Sequence, residues 1–282
     1  MKGAIRKIRK GLTPFMAEEA IPYVVLLRQP EKIAFPALAA VLARARGCPT
    51  LDALAVARSC WGILEEDHAE AAAQRLSASL IAAGFESLAL PQNLIADLPP
   101  EVAVVKADLA SQTSGFCTAD GELHPAVDTR LLCAAIFKRS VTQTIKVQKD
   151  ISFTDKALQV GLLMATGLPI GMSRMRKEVD KTVVGSELWG VLDLILMAPL
   201  RRLRVLSDGF DYSCLNEDKA YDTMSNFRVL ACRLAALWPE AGRNRGLRFI
   251  LDSRPQRDMG YESLADLERE SRALLTVSGL RS

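Results

Sequence analysis

The sequence predicts an α+β protein: an N-terminal β-α-α-β-α-β domain followed by a β-rich domain closed by C-terminal helices. Three observations lead there. Up to Pro91, short β-rich apolar runs alternate with stretches whose apolar residues recur at helical spacing. From Val102 the dominant pattern is period-two alternation broken by turn residues. Between the two patterns, Pro91, Asp97, Pro99 and Pro100 form a linker, because proline continues neither a ladder nor a helix. The expected division is a basic segment at 1–19, a domain at 20–98 and a domain at 99–282.

Composition fits two ordinary cores. The 282 residues are 49% apolar and 24% charged, enough to bury a core in each domain without disulfide or metal staples. The 36 basic and 33 acidic side chains leave a net charge of +3, too little to announce a nucleic-acid binder. Six cysteines, Cys48, Cys60, Cys117, Cys133, Cys214 and Cys232, are dispersed with no C-x-x-C, and read as buried thiols in a reducing cytoplasm. No uncharged apolar stretch reaches 18 residues, so no transmembrane segment is expected. The N-terminal segment has five basic residues in its first ten, and Thr13 and Pro14 interrupt the apolar run that a secretory leader would need.

The elements follow in order. Tyr23 to Leu27 is a buried strand closed by Arg28-Gln29-Pro30. Leu38, Val41, Leu42 and Ala45 share one face of a helix that Gly47 stops. Thr50 is the natural N-cap of a second helix, with Leu51, Leu54 and Ala55 as its apolar stripe and its end near Trp61. Trp61 to Leu64 makes a short second strand. Glu65-Glu66-Asp67 then suits the positive end of a third helix over His68 to Ala83, with Asp67 as cap. Leu76, Leu80 and Ala83 share its inner face, Gly84 ends it, and Phe85 to Leu90 returns as a third strand.

This segment resembles a known fold. The A-R-A-R-G that ends the first helix (Ala43 to Gly47), the D-A that opens the second (Asp52-Ala53) and the L-x-x-x-L-x-x-A-G before the last strand (Leu76, Leu80, Ala83, Gly84) look like the C-terminal domain of the bacterial ribosomal stalk protein. The adaptor of the Clp protease has a similar fold. Both are docking modules without chemistry of their own. The stalk domain docks through a lysine-rich face of its first helices; the matching stretch here carries Arg44, Arg46 and Arg58, and the resemblance makes these the candidate partner-binding residues.

Beyond the linker, Val102 to Leu109 and Gly115 to Cys117 read as strands, with Asp120-Gly121 as a hairpin turn leading to Glu122-Leu123-His124. Leu131 to Phe137 and Arg139 to Lys149 read as two further strands. Residues 150–186 read as a long connection. Such connections often carry function, which makes Arg174, Arg176 and Lys177 candidates for a second contact surface. Trp189 to Met197, Leu203 to Leu206 and Phe210 to Cys214 are expected strands, followed by a helix over Asn226 to Trp238 with Phe227, Leu230, Leu234 and Leu237 inward. A last helix spans Tyr261 to Leu275. Strands closed by an amphipathic helix suggest a curved antiparallel sheet similar to pleckstrin-homology-like domains. The whole chain also resembles a group of uncharacterised bacterial proteins through F-D-Y-S-C-L (Phe210 to Leu215), S-N-F (Ser225 to Phe227) and Y-E-S-L-A-D-L-E-R-E (Tyr261 to Glu270).

Motifs for chemistry are sparse. There is no G-x-x-x-x-G-K-[ST], no G-x-G-x-x-G and no G-x-S-x-G, and His68 and His124 have no ligand-spaced neighbours. No catalytic, cofactor or metal residues are assigned. The expectation is a non-enzymatic cytoplasmic interaction, scaffold or adaptor protein whose partner is another protein. A second reading is an RNA or anionic-surface binder using Arg201-Arg202-Arg204 and Arg243-Arg245-Arg248 with Arg254 and Arg257. A third is an enzyme of unrecognised type.

Overall fold

The computed structural model describes residues 21–109, 115–149 and 177–280. It is an α+β protein whose contacts divide it into two compact units, neither continuous in sequence. Unit 1 comprises residues 1–100, 240–245 and 264–282, and unit 2 comprises 101–239 and 246–263.

Unit 1 follows the order β1 (Tyr23–Leu27), α1 (Phe35–Arg46), α2 (Thr50–Ser59), β2 (Ile63–His68), α3 (Glu70–Ala82) and β3 (Ser87–Pro91). The three strands form an antiparallel sheet in the order β2-β1-β3. Because side chains alternate across a strand, β1 serves two cores. Val25 and Leu27 join Leu64 under Leu38 and Leu42 of α1, Ala53 and Ala57 of α2, and Leu76 and Leu80 of α3. Val24 and Leu26 point the other way and join Ile63 and Ile95 under Ala273 and Val277. Those last two belong to α6 (Leu264–Gly279), so the C-terminal helix covers the second sheet face. The sequence-based division placed this helix in the second domain; its apolar stripe instead completes the first.

One glycine and one arginine set how closely α6 approaches. Gly62 has φ 92°, and a Cβ there would lie 2.5 Å from the Pro30 Cβ and 3.0 Å from the Ala273 Cβ. Beside it, buried Trp61 has φ 44°, a left-handed conformation that a bulky residue rarely adopts. Arg269 of α6 holds this turn, its Nε donating to the Cys60 carbonyl at 3.0 Å and its Nη2 to the Ile63 carbonyl at 2.8 Å. Phe35 packs edge-on against the Trp61 ring at 6.0 Å.

Several expected details in unit 1 differ. The α2 N-cap is Pro49 rather than Thr50, which already lies in the first turn. Its buried stripe is Ala53 and Ala57, leading to Cys60, and not Leu51, Leu54 and Ala55. Ala45 and Ala83 are exposed. Residues 65–67 continue β2 instead of opening α3, whose N-cap is Ala69. As an edge strand, β2 accommodates charged residues that the inner strand β1 would not. The third strand starts late because Phe85 is used to close α3: its N–H bonds to the Leu80 carbonyl and the Gly84 N–H to the Ile81 carbonyl, a Schellman cap.

Unit 2 contains β4 (Glu101–Val104), β5 (Lys106–Asp108), β6 (Gly115–Cys117), β7 (Leu123–Pro125), β8 (Thr129–Lys149), β9 (Lys177–Met197) and β10 (Leu200–Leu206). The main sheet runs β8-β9-β10-β4, and β5-β6-β7 form a separate small sheet. Within the main sheet β10 and β4 pair in parallel, unlike the wholly antiparallel sheet expected. The two strands read as Leu131–Phe137 and Arg139–Lys149 are one, and residues 177–186, read as part of a connection, are strand paired to β8 from Lys149↔Lys177 onward. Residues 212–218, expected to include a strand, form a 3-10 turn capped by the Asp211 side chain. Two helices close the unit: α4 (Thr223–Leu237) and α5 (Arg245–Leu251), the latter not anticipated. A Cβ at Gly190 would lie 2.6 Å from the Phe227 ring, and one at Gly246 would lie 1.9 Å from the Ala134 carbonyl oxygen, so both helices rest directly on the sheet backbone.

Three sequence pieces, Phe210 to Leu215, Ser225 to Phe227 and Tyr261 to Glu270, hold backbone. Tyr212 donates to the Ser207 carbonyl at 3.0 Å, and the Asn226 amide spans both backbone groups of Ala220 at 2.6 and 3.0 Å. Tyr261 accepts the Gly246 N–H at 2.9 Å, and buried Glu270 accepts the Arg245 N–H at 2.9 Å. Each satisfies a group that burial would otherwise orphan.

Candidate docking surface

A three-residue link joins α1 to α2, and the helices pack side by side, so α2 runs back along α1. Arg44 and Arg46 occupy the last turn of α1, where cations complement the helix dipole, and Arg58 the last turn of α2. All three are exposed. The antiparallel arrangement separates Arg58 from the other pair by most of the length of α2, about 12 Å at 1.5 Å per residue. The structure therefore places them on one helical layer without gathering them into a cluster. Arg44 lies along its own helix, its Nε donating to the Ala40 carbonyl at 3.3 Å.

The surface also holds a residue that sequence reasoning sent inward. Leu51 is 77% exposed in the first turn of α2, next to the end of α1 where Arg44 and Arg46 stand. Ala55 is exposed on the following turn and Leu54 is half-buried. The cause is close helix packing: small Ala53 and Ala57 let α2 settle on the core, which turns the bulkier Leu51 out. Residues 35–59 carry three arginines and one acid, Asp52, a local net charge of +2.

The remaining candidates lie elsewhere. Arg174 and Arg176 fall outside the described residues, and Lys177 is the first residue of β9 in unit 2. Neither arginine cluster is wholly a solvated basic patch, although Arg201, Arg254 and Arg257 are exposed. Arg202 and Arg204 are 5% and 3% exposed and both bond to Asp193, which is 0% exposed. Arg204 also pairs with Glu101 of β4. Arg201 donates to Nδ1 of buried His124 at 3.1 Å, which fixes the neutral imidazole proton on Nε2, facing Glu122 at 3.6 Å. Arg243, Arg245 and Arg248 are half-buried, and Arg245 bonds to the Ile33 carbonyl and covers the Phe35 ring at 4.8 Å.

Of the six cysteines expected to be buried, Cys60 and Cys133 are; Cys48, Cys117 and Cys214 are half-buried and Cys232 is exposed. Desolvation raises the thiol pKa of Cys60, Cys214 and Cys232. Among the described residues, no group of three or more His, Cys, Asp or Glu side chains is arranged to hold a metal ion, and no helix is long and apolar enough to cross a membrane. Fold and surface together define an α+β protein of two units, the first presenting an exposed helical layer. No family model matches the chain, and comparison with curated proteins and with solved structures found no match.

Proposed function

We propose that unit 1 is a protein-docking module whose outer α1–α2 face grips an acidic partner segment bearing an apolar side chain. The observation that carries this reading is Leu51, a leucine left in water on a helix whose inward stripe is alanine. Leu51 supplies the apolar contact, with Ala55 beside it, and Arg44, Arg46 and Arg58 supply charge of the sign that attracts acidic flanks. Both faces of the sheet in unit 1 are covered by helices, and the outer side of α1 and α2 carries the exposed Leu51 and the three arginines.

The test places a photo-activated cross-linker at residue 51 of the full chain in its native cell, with Ala78 on α3 as the control position. A discrete adduct from residue 51, absent from residue 78 and lost when Arg44→Glu and Arg46→Glu are added, is expected. The same adduct from both positions, or one indifferent to charge reversal, overturns the proposal.

A further inference from the structure

A separate feature of unit 2 points to a small-molecule site. A cleft of about 440 Å³ lies between α4 and residues 250–259, within the size range of small-ligand pockets. Ile250, Met259 and Val229 give it an apolar lining. Three arginines, Arg228, Arg233 and Arg254, share that lining with a single acid, Asp218, leaving a local charge of +2. Arg233 is committed to its own unit: it pairs with Asp218 and donates to the Cys214 carbonyl at 3.1 Å. Arg228 and Arg254 meet no carboxylate among the described residues.

The backbone around Arg254 is built to hold that charge in place. After α5, the Arg254 N–H bonds to the Phe249 carbonyl at 2.8 Å and the Ser253 N–H to the Ile250 carbonyl at 3.1 Å, a Schellman cap. The position in the left-handed conformation favours glycine, yet it is Ser253, at φ 54°, and it too lines the cleft. The contact that usually completes such a cap is apolar; here the Arg254 guanidinium lies 4.2 Å above the Phe249 ring. That stacking fixes the group without neutralising it.

We propose that this cleft binds a small organic anion, a carboxylate on an apolar chain or ring, with its body on Ile250 and Met259 and its head at Arg228 and Arg254. Neither half of such a ligand suffices. An inorganic anion leaves the apolar lining wet, and an uncharged apolar molecule leaves two guanidinium groups at its edge without a counter-charge. The Ser253 hydroxyl adds a hydrogen-bond donor for the head group.

The test uses the full chain with 8-anilinonaphthalene-1-sulfonate as fluorescent probe, decanoate as competitor and decan-1-ol as the uncharged control. Decanoate is expected to displace the probe at concentrations where decan-1-ol does not. Arg228→Ala and Arg254→Ala, both at exposed positions, weaken decanoate by about tenfold or more while circular dichroism stays unchanged. Alkylation of Cys232, which lines the same cleft, slows when decanoate is present, as read by mass spectrometry of its peptide. Failure of decanoate to displace the probe, equal displacement by the alcohol, unchanged affinity in both arginine variants, or alkylation indifferent to decanoate overturns the proposal.

Discussion

Asp193, near the end of β9, shows how much of unit 2 rests on single side chains. Its two oxygens take four donated hydrogen bonds of 2.7–3.0 Å from Arg202 and Arg204, and Arg204 reaches on to Glu101, so one carboxylate ties three strands together. Removing one partner of a buried ion pair leaves the others uncompensated, at a cost of about 3–5 kcal/mol. Asp193→Ala should therefore lower stability by about that amount in urea denaturation, and a loss under about 1 kcal/mol would refute the role. Asp222 makes a titratable contribution instead. Its side chain caps α4 by accepting the Ser225 N–H at 2.8 Å, and hydrogen bonding from the Ser225 hydroxyl, together with that N–H, holds its carboxyl below the ordinary carboxylate range. The cap's contribution is complete above the unfolded pKa, about 3.9, and is lost as pH falls toward the lower folded value. Asp222→Asn keeps an acceptor without a proton to gain, so the stability of the variant should fall less steeply below about pH 4 than that of the parent. At this scale the sequence is informative about turns: the glycines at 47 and 84 stop their helices as their residue type demands. It says nothing of Asp193, because a single acid in an apolar run acquires meaning only when the two arginines of the next strand lie opposite.

Among the elements, α6 is the one whose position could not be read. Its amphipathic stripe is plain in the sequence, but a stripe states that a face will be buried, not against what. The destination is settled by Arg269, which bridges the carbonyls on either side of the Trp61-Gly62 turn, and by Gly62, which leaves room for Ala273. Arg269→Ala should cost about 2–3 kcal/mol through two charge-assisted hydrogen bonds, and Arg269→Lys should recover less than half, since an ammonium cannot span both acceptors. Thermal unfolding of the full-length variants measures both; equal stability of the lysine form and the parent would exclude the bridging geometry. The orientation of α2 differs from its apolar pattern for a related reason. Hydrophobicity ranks Leu51 above Ala53, whereas close packing against a neighbouring helix selects small side chains, and an A-x-x-x-A stripe was the signal available.

For the molecule as a whole, the chain leaves unit 1 at residue 100 and returns to it twice, at 240–245 and from 264. A fragment of residues 21–100 therefore lacks the helix that covers Val24, Leu26 and Ile63. It should remain poorly folded alone and gain a cooperative transition when a peptide of residues 262–282 is added, measured by circular dichroism and calorimetry. Independent folding of the fragment would show the sheet face needs no cover. The sequence by itself determined the α+β class, the order of the first six elements and the helix stops, because these depend on side-chain period and on backbone preferences that act within a few residues. The tertiary structure alone decided that the C-terminal helix belongs with the first strands, that Arg202 and Arg204 are buried, and that Leu51 faces water. Each of those depends on which distant surface arrives opposite, and local spacing carries no record of it.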